Sequence, residues 1–180
     1  MPGFRNIVEY NNLSEKQEAF ERVIIITDHD EIGTESEISK KVENILAEGN
    51  VIITDKVSND KWIECTYKNG HGKELQSQFL LLVIPFEKTG AMETFLLDAV
   101  SKKDEYDSEI IRKGNDFIDR TDPEKRYLSK RRYITKAKFD VYFLVRTAAT
   151  QFVERQDILK NVEWEDYAAL QTGFEKLGEL

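Results

Sequence analysis

The run Val23-Ile24-Ile25-Ile26-Thr27 constrains this chain more than any other feature, because it is β-branched throughout and stops abruptly at Asp28-His29-Asp30-Glu31. Consecutive residues of this kind suit a strand covered on both faces, the usual state of a parallel sheet under helices. Past Gly33 the period changes. Ile38, Val42, Ile45 and Leu46 recur at helical spacing, which predicts a helix over Thr34–Glu48 with Gly49-Asn50 as its stop signal. A buried strand, an acidic turn and a helix are thus read in succession.

The same reading extends along the chain. Val51–Thr54 is a second short strand, and the alternation from Trp62 to Tyr67 runs up to a turn at Asn69-Gly70. Phe79–Ile84 is the next buried strand, ended by Pro85. Gly90 opens a helix whose apolar face is Met92, Phe95, Leu96, Ala99 and Val100, and Lys102–Asp122 carries another with Ile110, Ile111, Phe117 and Ile118. From Arg131 to Phe152 the positions Ala137, Val141, Leu144, Val145, Ala148 and Phe152 keep helical spacing, although Phe139, Val141, Phe143 and Val145 suit a strand equally. Trp164–Leu177 reads as a terminal amphipathic helix. Strands alternating with helices, followed by a helix-rich half, indicate a three-layer α/β domain with a mainly parallel central sheet. At 180 residues one domain is expected over 1–180, its C-terminal helices starting at about 131.

Composition removes several classes. The longest apolar runs, Val23–Ile26 and Phe79–Ile84, fall far short of the ~20 residues a membrane helix requires. Met1–Phe20 has no apolar block of the signal-peptide kind. One cysteine, Cys65, makes no internal disulfide, and with His29 and His71 it builds no zinc site. A reducing cytoplasm is the expected location, with Cys65 an inert apolar group on a strand. The net charge is −8, yet residues 120–140 hold eight bases (Arg120, Lys125, Arg126, Lys130, Arg131, Arg132, Lys136, Lys138) against three acids. A basic strip of this sort either forms a solvated helix face or holds phosphate at short range. It is the expected route to a nucleic acid or nucleotide partner.

Functional groups in open parallel sheets gather beyond the carboxyl ends of strands, where Asp28 and Asp30 fall. Two carboxylates at i and i+2 can aim at one point, and their repulsion is relieved by a cation between them. Hard oxygen donors suit Mg2+ or Mn2+, which in turn grips a phosphate oxygen. The plainer reading is an Asx turn capping the next helix. Haloacid-dehalogenase-like phosphatases share a strand followed by D-x-D, but their threonine would have to be Thr34, which comes too late. Receiver domains need an aspartate ending a later strand, and Phe79–Ile84 ends in Pro85-Phe86 instead.

Three pieces taken together narrow the choice: VIIITDHDE (Val23–Glu31), LLLVIPFEKTGAMETFLLDAV (Leu80–Val100) and ITKAKFDVYFLV (Ile134–Val145). In this order they resemble an uncharacterised prokaryotic family assigned to the Toprim-like (topoisomerase–primase) fold, over roughly Val23 to Phe152. The resemblance implies that Asp28 and Asp30 are the acidic pair that holds Mg2+ in topoisomerases, primases and overcoming-lysogenization-defect-type nucleases. It also implies that Glu93 is the family's acid at the start of the long helix, with a catalytic or second-metal role, and that Lys136 and Lys138 are its K-A-K phosphate contacts. Glu93 is equally a carboxylate in a first helical turn, favourable there by ~0.3–1 kcal/mol. Toprim domains carry a further glutamate after a strand upstream of D-x-D. Here either Glu9, closing Asn6–Glu9, is that residue in a shortened form, or the first strand and its glutamate are lacking, the reading preferred.

Two functions therefore stand side by side. One is a metal-dependent phosphodiesterase or nuclease acting on nucleic acid or a nucleotide. The other is a non-catalytic Toprim-like module that binds a partner protein or nucleotide, and a homodimer is compatible with both. Alternation turns His29 away from the carboxylates, and His71 falls in the Asn69–Gly72 turn. Trp62, Tyr67, Trp164 and Tyr167 are expected in packing rather than as base-stacking platforms.

Overall fold

The β-branched run forms strand β1 (Arg22–Asp28), and the helix after Gly33 is α2 (Thr34–Glu48) with the bounds its periodicity predicts. The computed structural model describes residues 1–15, 18–149 and 155–179, and the chain divides into two compact units, Met1–Ile84 and Pro85–Leu180.

In the first unit the described residues form a four-stranded sheet ordered β1-β4-β3-β2, with β2 at Ile52–Ile53, β3 at Trp62–Lys68 and β4 at Glu74–Ile84. β1 runs parallel to β4, while β4–β3 and β3–β2 are antiparallel. The sheet is therefore mixed, a correction to the mainly parallel one expected. The cause is local: Asn69 closes a hairpin between β3 and β4, its Oδ1 accepting from the N–H groups of His71 (3.1 Å) and Lys73 (2.9 Å), and a hairpin forces antiparallel pairing. A second correction concerns β1. It lies at the sheet edge with Ile26 47% exposed, so it is not covered on both faces. The central strand β4 is the one whose Phe79–Ile84 are at most 2% exposed.

Helix α1 (Pro2–Leu13) occupies the place where a strand Asn6–Glu9 was one alternative. Proline stands within its first turn, where its missing N–H costs nothing, and Phe4, Val8 and Asn11 make one buried stripe. Phe4 and Val8 pack with Val42, Ile45 and Leu46 of α2 against Ile63, Cys65, Phe79, Leu81 and Val83, and the Phe4 and Phe79 rings are 5.1 Å apart. Each such side chain contributes about 1.5–3 kcal/mol of burial. Asn12 Nδ2 donates to Gly49 O at 2.7 Å, where α2 ends, and a Cβ on Gly49 would collide with Val8.

The second unit is helical: α3 (Met92–Lys103), α4 (Glu105–Thr121), α5 (Arg131–Arg146), α6 (Arg155–Lys160) and α7 (Ala168–Gly173). Asp104 separates α3 from α4 by capping, its carboxylate accepting from the N–H groups of Tyr106 and Asp107 at 2.7 and 3.1 Å. α4 and α5 approach closely at Gly114, where a Cβ would lie 3.1 Å from Val141. Residues 131–146 are helix, which resolves the helix-or-strand ambiguity. The buried stripe, however, is Phe139, Tyr142 and Phe143, while Leu144 and Val145 are 71% and 53% exposed and Ala148 is exposed too. Phe152 lies outside the described residues. The terminal helix is also corrected: 3-10 turns at Trp164–Asp166 and Glu175–Glu179 flank the short α7. Tyr167 is extended at the break and its buried ring packs 5.4 Å from Trp164, so aromatic packing outcompetes a continuous helix.

Candidate functional site

Asp28 is the last residue of β1, in register with Ile84 of the parallel strand β4. The next residue stays tied to β4, because the His29 N–H donates to Ile84 O at 2.7 Å. The chain then turns. The Glu31 N–H donates to Thr34 Oγ1 at 2.9 Å, the Thr34 N–H donates back to Glu31 O at 3.1 Å, and Gly33 takes φ 92°, a left-handed value that favours glycine. Gly33 is the cap residue of α2 and brings no side-chain cap of its own. The residue at the cap position is thus a glycine rather than an aspartate.

Asp28 is half-buried at the carboxyl end of the parallel β1–β4 pair, and Asp30 is exposed two residues further on. Among the described residues no group of three or more His, Cys, Asp or Glu side chains is placed to hold a metal ion. Mg2+ is in general held by one or two carboxylates and completes its shell with water and substrate phosphate. A site of that kind leaves positions open for a ligand. It does not make an all-protein cage.

The other expected residues belong to the second unit. Glu93 is half-buried in the first turn of α3, beside Ala91, whose N–H donates to Thr94 Oγ1 at 3.3 Å. Lys136 is exposed on α5. Lys138 Nζ pairs with Asp119 of α4 at 2.8 Å, its side chain 26% exposed, so part of the basic segment does bind the neighbouring acidic helix. Glu9 sits on helix α1, which removes it as a glutamate closing an upstream strand. His71 Nε2 lies 3.5 Å from Glu15 in the hairpin turn. Tyr67 and Tyr167 are buried, and Trp164 Nε1 donates to Leu159 O at 2.8 Å, all three in packing roles.

Charge counting along residues 120–140 leaves out two tyrosines that the structure brings forward. Asp122 follows α4 and accepts three successive backbone N–H groups, from Arg126 (3.0 Å), Tyr127 (2.7 Å) and Leu128 (2.7 Å). These bonds, that from Leu128 foremost, hold its carboxyl below the usual aspartate range. The turn they close leaves Tyr127 71% exposed, with the Arg126 guanidinium 5.3 Å from its ring centre. Tyr133, in the first turn of α5, is 37% exposed and carries Lys130 and Arg132 at 5.9 and 5.0 Å. Arg131 Nη2 donates to Thr89 Oγ1 at 2.7 Å. The available signal was the spacing of Lys125-Arg126-Tyr127 and Arg131-Arg132-Tyr133, an aromatic closing each basic run.

Comparison with protein-family models, curated proteins and solved structures found no match. The fold and sites described define an α/β chain with a mixed sheet, and no helix among the described residues is long and apolar enough to cross a membrane.

Proposed function

We propose that this chain is a Toprim-like protein that acts on nucleic acid or a nucleotide as a divalent-cation-dependent, nuclease-like phosphodiesterase. The observation that carries the reading is that Asp28 ends β1, in register with its parallel partner β4, and Asp30 follows two residues beyond. Their carboxylates would hold Mg2+ or Mn2+, which when bound supplies Lewis-acid polarisation of a phosphate oxygen. Glu93 would serve as the further acid, and Lys136 as the first phosphate contact. Lys138 would join only by exchanging Asp119 for phosphate. A three-layer Toprim-like arrangement and a cytoplasmic location, where a buried Cys65 stays reduced, belong to the same reading.

Cleavage of single- and double-stranded substrates with Mn2+ tests it. Asp30→Asn is expected to lower the rate by more than about 100-fold, beyond what loss of an outer-shell partner costs. A rate unchanged by that substitution overturns the assignment. One observation favours the non-catalytic alternative: Glu9 is on a helix, so it does not supply the glutamate at a strand end. That alternative expects millimolar metal binding and no hydrolysis in the same assay.

A further inference from the structure

We propose that the turn after α4 and the first two turns of α5 bind a single-stranded nucleic acid, with bases stacked on Tyr127 and Tyr133 and phosphates held by Arg126, Lys130, Arg132 and Lys136. This names the substrate class for the function proposed above and rests on that reading only to that extent. The charge pattern of the second unit comes first. Lys103 pairs with Asp166, Arg112 with Glu109 and Asp116, Lys138 with Asp119, and Lys88 with Asp98. Among the described residues no carboxylate pairs with Arg126, Lys130, Arg132 or Lys136, although the whole chain is acidic at −8. Three of these four cations lie 5.0–5.9 Å from the centres of two exposed tyrosine rings, and Arg132 Nη2 also donates to the Tyr133 hydroxyl at 3.2 Å.

Cations and aromatic rings in alternation are what a single strand requires: phosphates meet the cations, while unstacked bases lie on tyrosine rings and guanidinium planes. A duplex keeps its base faces covered by their neighbours and would leave both rings unused. An acidic peptide would use the cations and again leave the rings in water. The surface is also ordered in advance. Asp122 fixes the backbone of Arg126, Tyr127 and Leu128 through three hydrogen bonds, which lowers the ordering cost on binding. The Thr89 hydroxyl accepts from Arg131, anchoring the segment between the two rings.

Fluorescence anisotropy on the full chain tests this, with EDTA present so that the carboxylate pair contributes no metal. Cleavage then reports on Asp28 and Asp30, and binding reports on this surface alone. The probes are labelled oligodeoxythymidylate and oligouridylate of about 15 nucleotides, a DNA duplex of the same length, and polyglutamate as competitor. Either single strand is expected to bind more tightly than the duplex, with a log–log salt slope near −3 for about four phosphate contacts. Tyr127→Ala with Tyr133→Ala is expected to weaken binding at least about tenfold with the slope unchanged. Tyr127→Phe with Tyr133→Phe keeps the affinity, and Arg126→Glu with Lys130→Glu abolishes it. The proposal is overturned if no single strand binds at low salt, if the duplex binds as well, if polyglutamate competes as effectively as an unlabelled single strand, or if the alanine pair binds like the wild type.

Discussion

Cys65 lies on β3 with 2% of its surface exposed, and its thiol is pushed from an ordinary 9.0 to about 11, first by burial and then by the neighbouring Glu64 carboxylate. The neutral form is favoured in the folded state, so the unfolded chain releases this proton at lower pH than the native one. Stability from this group is complete below pH 9 and is lost as pH rises from 9 towards 11. Urea midpoints at pH 8, 9.5 and 10.5 for wild type and Cys65→Ala check it. The wild type is expected to lose ground against the variant across that interval, and parallel curves would refute the assignment. At this scale the sequence was legible where one residue type has one plausible environment, as with Cys65 in an alternating strand. It was less legible at Tyr127 and Tyr133, because a tyrosine beside arginines reads the same on a surface as in a core until its exposure is known.

Among the elements, α2 was readable to its bounds because Ile38, Val42, Ile45 and Leu46 repeat at one period and Gly49-Asn50 ends it. α5 was readable as a helix but not for its buried face. Apolar residues crowd around it in sequence, so several stripes satisfy helical spacing, and only packing selects Phe139, Tyr142 and Phe143. The two stripes predict different stabilities. Phe139→Ala is expected to cost about 3–5 kcal/mol as a cavity in the core, whereas Leu144→Ala, at a site 71% exposed, stays within about 0.5 kcal/mol. Guanidinium titrations of both variants decide it, and a large loss at Leu144 would reinstate the stripe that spacing alone suggests. α1 was missed for a related reason: Ile7-Val8 between Asn6 and Glu9 looks like a strand end, while its helix depends on burying Phe4 and Val8 against α2 and the sheet.

For the molecule as a whole, the unevenness of charge sets how any polyanion approaches. Residues 120–140 carry +5 and the rest of the chain −13, giving a net charge of −8. The two parts act over different ranges. At about 0.01 M salt the Debye length is about 30 Å, so an approaching strand feels the net negative charge well before it meets the basic segment. At about 0.15 M it falls to about 8 Å, and only the nearby cations and rings are sensed. Counterion release should weaken affinity steadily with added salt, whereas long-range repulsion should slow association at the lowest salt. The expected outcome is a dissociation rate that rises throughout the series and an association rate that first rises with salt and then falls. A uniformly basic binder would instead show association fastest at the lowest salt. Stopped-flow anisotropy of oligodeoxythymidylate from about 0.01 to 0.2 M salt separates the two profiles. A monotonic fall in association rate would mean that the acidic remainder of the chain does not oppose the strand, and that charge segregation plays no part in recognition.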